Sequence, residues 1–194
     1  MPVAAASIVG LLALIALVRL LQVSGLAALT TFFNVYLDSE LLLPTAQIGA
    51  IIACGRLLGV PAALATSALT ARFGNRAVVI GASLGTALSI LPIALIPHWG
   101  AAGLSFIGVI GLSWIRYAAS TVYFLELVPP ARRATVSGVT EMAAGITFTV
   151  LTFGGGYAIV LLGYRSLFLV GAVLTGLSAL VFWRAFRRRA ADAH

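Results

Sequence analysis

Apolar residues in this chain neither alternate nor gather on a single helical stripe. They run on for about twenty positions at a time, the length a membrane-spanning helix needs. Short stretches with charge, Pro or Gly interrupt the runs at Asp38–Thr45, Ala71–Arg76, Pro97–Gly100, Leu127–Arg133 and Gly163–Arg165. Such residues punctuate helices because they change the backbone or demand water. The pattern predicts six spanning helices at about 14–37, 47–70, 77–96, 103–126, 135–159 and 166–185. They use most of the chain, so 1–194 reads as one transmembrane domain. Runs this long lack the alternation of barrel strands, and the expected fold class is all-α.

The first run raises a separate question. Residues 3–18, VAAASIVGLLALIALV, have the length of a signal-peptide core, but no Lys or Arg precedes them and no small-residue cleavage site follows at once. A helix from Val3 to Leu37 would measure about 52 Å at 1.5 Å per residue. That is too short for two spans and a turn. One long helix with its first turns in the membrane interface is the reading adopted.

Composition agrees with the pattern. The chain is 61% hydrophobic and 9% charged, with a mean hydropathy of +1.12. Soluble domains carry about 25% charged residues. The net charge of +7 comes from arginine. A basic balance can signal nucleic acid, but its distribution speaks against that here. With the N-terminus inside, inner loops and tail hold Arg72, Arg76, Arg132, Arg133, Arg184, Arg187, Arg188 and Arg189, whereas outer loops hold Arg165 with Asp38 and Glu40. This asymmetry is the positive-inside signal, with the RAFRRR tail as a further contact for anionic lipid. The lone cysteine, Cys54, makes no intrachain disulfide.

Two segments echo one another. Gly74-Asn75-Arg76 opens the third helix and Gly163-Tyr164-Arg165 opens the sixth, an offset of 163 − 74 = 89 residues. Shifting helices one to three by that offset lands them on helices four to six. Three spans is an odd number, so the second copy would be inverted, as in many transporters. Two unrelated tight turns would look the same.

Charges inside the spans are uneven. Arg19, Arg56, Arg116 and Glu141 lie in the first, second, fourth and fifth helices, and the third and sixth have none before the tail. Helical spacing aligns Ser113, Arg116, Tyr117 and Ser120 on one stripe, and Arg19, Gln22, Thr30, Phe33 and Asn34 on another. In the fifth helix Ser137, Thr140, Glu141 and Thr152 share a face. Small and hydroxyl residues of this kind also serve close helix packing, the default for Gly55-x-x-x-Gly59 and Gly81-x-x-x-Gly85. Arginine is costlier, at about 2.5–3.5 kcal/mol at a helix centre on insertion scales, and usually faces an interior or a watery cavity. Arg19 either snorkels to the inner surface or joins that interior. Arg116 either pairs structurally with Glu141 or holds a polar or anionic solute, for which its rigid fork of donors is suited. Arg116, Tyr117, Arg56, Asn34 and Gln22 are the candidates for solute binding, and Glu141 for proton coupling.

Over nearly its whole length the chain resembles the C-terminal six-helix half of a major facilitator superfamily transporter. The resemblance is carried by TFFNVYL (31–37), IGAIIACGRLLGVPAALA (48–65), TARFGNR (70–76), ELVPPARRATVSGV (126–139) and GYRSLFLVGAVL (163–174). Within the family's signature loop, roughly G-x-x-x-D-R-x-G-R-R, Arg72, Gly74 and Arg76 match, while Ser67, Ala71 and Asn75 depart. The acid of the family's gating ion pairs is therefore missing at Ala71. The resemblance implies two inverted three-helix repeats, with the first, second, fourth and fifth helices at the cavity and the third and sixth toward lipid. It also implies secondary-active transport of a small solute by alternating access. Twelve helices are usual in the family, so the implied partner is a second six-helix half or a second copy. Six is an even number of spans and the arginines cluster inside, so both termini are expected in the cytoplasm, and a bacterial inner membrane is the expected location.

Two other classes were weighed. A non-transporting scaffold or transporter remnant would have shed its intramembrane charges, which are present. GASLG (81–85) has the spacing of a G-x-S-x-G nucleophile and suggests an intramembrane serine protease, but the histidines, His98 and His194, lie outside the spans and leave Ser83 without a base. No Cys/His/carboxylate spacing calls for a metal, and no cofactor is expected. The topology has a direct test: a thiol placed at Ser39 should react with an impermeant reagent from outside, and one at Asn75 should not. The reverse pattern would invert the orientation.

Overall fold

The computed structural model describes residues 2–187, with side chains over 8–186. The tail arginines 188 and 189, the side chain of Arg187 and His194 lie outside the described residues. Helix α1 runs Pro2–Ser39, α2 Thr45–Leu95, α3 Trp99–Glu126 and α4 Arg133–Arg187, with a 3-10 turn at Pro130–Arg132 before α4. All four are long and apolar enough to cross a membrane, and the chain is an integral membrane protein.

Six separate helices were expected, and the structure has four. The breaks at 71–76 and 163–165 are not loops. In each, one glycine leaves the helical region: Gly74 at φ 79°, ψ 151° and Gly163 at φ 77°, ψ 167°. That region of backbone space is essentially open to glycine alone. A single residue there redirects the chain while the backbone on both sides stays helical, so the expected punctuation is present in a shorter form.

The redirection is large. Straight, the 51 residues of α2 would span about 77 Å. Instead, both of its arms lie along α3. Before the break, Gly55 abuts Phe106, and Gly59 abuts Ile110 and Trp114. After it, Gly85 abuts Leu112 and Ser89 lies against Gly108. The N–H of Ile93, next to the in-helix Pro92, donates to Ser105 Oγ of α3 at 3.0 Å. Helix α4 folds against α1 in the same way. In its first arm Thr147 Oγ1 donates to Leu20 O at 3.2 Å and Gly155 meets Phe32. In its second arm Phe168 packs edge-on to Tyr36 at 5.5 Å, and Thr175 Oγ1 accepts the Gly25 N–H at 2.9 Å. Each folded-back helix thus clasps the single helix that lies outside its own half of the sequence.

The core is layered along the helices. One apolar cluster centres on Phe33, Phe106 and Phe168, with Phe33 and Phe106 stacked at 4.4 Å. A second gathers Ile15, Val18, Phe124, Phe182 and Phe186. In α1 and α3 the residues between these clusters include the buried Arg19, Gln22, Ser24, Ser113 and Arg116. Polar groups therefore occupy the middle of the bundle.

Of the glycine pairs read as packing sites, Gly55, Gly59 and Gly85 touch α3, whereas a Cβ at Gly81 would meet nothing. Gly55→Ala should drive its methyl into Phe106 and unseat the Phe33 stack, lowering stability by about 1–3 kcal/mol as overpacked cores do. Gly81→Ala should stay within about 0.5 kcal/mol. Reversible unfolding in detergent measures both, and equal effects would contradict the packing described.

Candidate functional site

The polar middle layer opens into a cleft of about 810 Å³, a size typical of small-molecule sites. Helix α1 contributes Arg19, Val23, Leu26 and Thr30 to its wall, and the first arm of α2 contributes Arg56, Gly59, Val60, Ala63 and Leu64. Helix α3 contributes Ile110, Ser113, Trp114, Arg116 and Tyr117, and the first arm of α4 contributes Glu141 and Phe148. None of these wall residues comes from the second arm of α2 or α4.

Arg116 is the best-buried charge, at 1% exposure. Its Nη2 donates to Ser113 Oγ, one turn earlier, at 3.3 Å, while Nε and Nη1 have no hydrogen-bond partner in the protein. Arg19, also buried, sits 4.8 Å above the Tyr117 ring. Its Nη2 lies 3.9 Å from Glu141 Oε1, which also accepts from the Tyr117 hydroxyl at 3.2 Å. Trp114 meets Tyr117 edge-on at 6.3 Å.

This geometry places an arginine other than Arg116 beside Glu141. Glu141 pairs with Arg19 and not with Arg116, among the described residues. Arg19 does not snorkel to the surface; it is buried in the cleft wall. The sequence signal for it was present in the stripe with Gln22 and Thr30. The long first helix was expected, and α1 runs Pro2–Ser39; the sequence left both readings of Arg19 open.

Of the expected solute-binding residues, Arg116, Tyr117 and Arg56 line the cleft together with Glu141. Gln22 and Asn34 do not. Gln22 is fully buried, with both amide atoms unpartnered, and Asn34 is exposed one turn beyond Thr30 on the same side of α1, past the end of the cleft. Sequence reasoning left Arg19 out of the binding set, while Trp114, which it offered as an aromatic wall beside Tyr117, lines the cleft. At the Gly74 kink, Arg72 is exposed and stacks on its neighbour Phe73 at 5.2 Å. Arg76 Nη2 donates to Trp183 O at 3.3 Å, tying the start of the second arm of α2 to the end of α4. Ser83 is fully buried with its Oγ unpartnered. His98 caps α3, its Nδ1 accepting the Gly100 N–H at 3.0 Å, and makes no hydrogen bond to Ser83.

The Glu141 side chain is 60% exposed, so its link to Arg19 should add little to stability. Exposed pairs contribute about 0–1 kcal/mol. A double-mutant cycle of Arg19→Ala and Glu141→Gln should give a coupling in that range by unfolding in detergent. A coupling of about 3 kcal/mol or more would make the pair a structural clamp.

Two comparisons with known proteins bear on the chain. The sequence model of the Major Facilitator Superfamily matches residues 5–194. No curated protein matches the sequence.

Proposed function

The chain belongs to the Major Facilitator Superfamily, a family of transporters and not of enzymes, and we propose that it forms one half of a secondary-active transporter for a small polar or anionic solute. On this reading α1, α3 and the two arms each of α2 and α4 serve as six spans. The matching glycine breaks at φ 79° and φ 77°, 163 − 74 = 89 residues apart, support an inverted pair of three-span repeats. The crosswise clasp of the two halves of the sequence supports it as well.

The observation that carries the reading is the buried, carboxylate-free Arg116 on the wall of a cleft. An unpaired charge in a dry interior is costly, and intramembrane arginines usually serve a pathway. Arg116 holds the solute, with Tyr117 and Arg56 beside it. Glu141 is the coupling carboxylate: protonation breaks its link to Arg19, and deprotonation restores it. Arg19 takes the part of holding Glu141 that the sequence alone would give to Arg116. The kink at Gly74, with Arg72 and Arg76, forms the gate at the cytoplasmic end.

A cleft open on one side, with Arg56 and Glu141 facing outward, needs a cover against lipid. We take that cover to be a second six-span unit of the same orientation, either another half or a second copy, and alternating access to be the rocking of the two about the cleft. Both termini are cytoplasmic in this arrangement, and the membrane is a bacterial inner membrane.

Uptake by cells or vesicles carrying the assembled pair tests the role of Arg116. Arg116→Ala should insert normally and lose roughly ten- to hundredfold in transport, the scale of a charge-assisted hydrogen bond. Arg116→Lys should retain part, since it keeps the charge without the fork. Parent-like transport by both variants would remove Arg116 from the pathway.

A further inference from the structure

We propose that the solute is an amphipathic organic anion, with one planar carboxylate-like head group on an aromatic or branched apolar body. This rests on the binding role of Arg116 and narrows the substrate class.

The head group follows from the charges on the wall. Arg19, Arg56 and Arg116 face the cleft with Glu141 as the acid among them. Glu141 is engaged by Arg19 and Tyr117, so it leaves Arg116 without a counter-charge. Arg19 and Arg116 line the same cleft, and like charges in one cleft repel. Its Nε and Nη1 lack partners, and a planar oxyanion is the group a guanidinium binds through two parallel N–H bonds. A cationic solute would add to the repulsion. A neutral one would leave the buried charge unanswered.

The body follows from the rest of the wall. Val23, Leu26, Val60, Leu64, Ile110 and Phe148 line the cleft around the charged cluster. The Trp114–Tyr117 edge-on pair adds two aromatic surfaces beside Arg116. A bare inorganic anion or acetate would satisfy the arginine but leave a cleft of about 810 Å³ largely unfilled against apolar walls. An anion with an apolar body answers both halves of the lining, as ligand sites of this size usually do.

Access requires one exchange. Arg116 and Arg19 are both occluded, whereas Arg56, Tyr117 and Glu141 are exposed. The incoming carboxylate takes the place of Glu141 at Arg19, Tyr117 swings aside with it, and the head group settles between the two guanidiniums. Charge is conserved at the cluster if Glu141 takes up a proton as it lets go.

Isothermal titration of the assembled pair in nanodiscs, with empty nanodiscs as blank, tests this using 2-naphthoate as the probe. Acetate supplies the head alone, 2-naphthalenemethanol the body alone, and 2-naphthylmethylammonium the opposite charge. The expected result is 2-naphthoate binding at least roughly tenfold tighter than each comparator. Arg116→Ala should weaken 2-naphthoate roughly ten- to hundredfold and leave 2-naphthalenemethanol unchanged. If the alanine variant fails to fold, Arg116→Met keeps the volume and serves instead. Acetate or inorganic phosphate binding as tightly as 2-naphthoate, and lost with Arg116, would overturn the amphipathic class while leaving Arg116 as an anion site. Equal binding of the naphthylmethylammonium, or 2-naphthoate binding indifferent to Arg116, would overturn the class and the binding role together. No 2-naphthoate binding by the parent would overturn the class, with the uptake measurement still reporting on Arg116.

Discussion

In hydrocarbon a peptide N–H has no water to turn to, and the architecture follows from that constraint. Helices satisfy the backbone within themselves, so almost every residue from Pro2 to Arg187 is helical. Reversals are kept to a minimum, and at Gly74 and Gly163 a single residue is enough. Where Pro92 disturbs the ladder of α2, Ser105 of α3 reaches across to hold the neighbouring N–H. Many hydroxyls turn back on their own helix, as Ser24, Thr30 and Thr86 do to the carbonyl four residues earlier. This explains why stripes of Ser and Thr alone are weak evidence for a cavity.

The same constraint decides where polarity can be concentrated. Aromatic clusters close the bundle on either side of the middle layer, and small residues let the backbones approach. Gly171, for example, sits against Ala28 and the backbone of Gly25. Packing of this kind is stiff, and stiffness on both sides allows buried polar groups between them to keep a fixed arrangement. Gln22 and Ser83 show that not every such group faces the cleft.

Charge is handled differently from hydroxyl. Arg19 has a carboxylate and the ring face of Tyr117 beside it, and Arg116 has a serine. The asymmetry leaves one arginine beside an acid and the other without one. On the proposed reading these are separate tasks, one arginine holding the coupling acid and the other binding the solute, so that solute and proton influence one another without occupying one group.

Much of this was legible in the residues themselves. Composition and run length fix a helical membrane protein, because no soluble core could hide so much apolar surface. Gly-x-Arg at 74–76 and 163–165 marks the reversals, and the absence of charge in the third and sixth segments anticipates a cleft walled by the other four. The form of the reversals was not legible, since a glycine does not announce whether it will take one residue or a loop to turn. Nor was the partner of Glu141: Arg19 is 141 − 19 = 122 positions away, and helical periodicity ranks residues only within one helix. The surroundings of Arg19, the exposure of Asn34, the burial of Gln22 and the isolation of Arg116 were decided by how α4 folds back on α1 and α2 on α3. A sequence assigns a side chain to a face of its own helix. Which neighbour that face meets, and at what height, is set by packing between helices far apart in the chain.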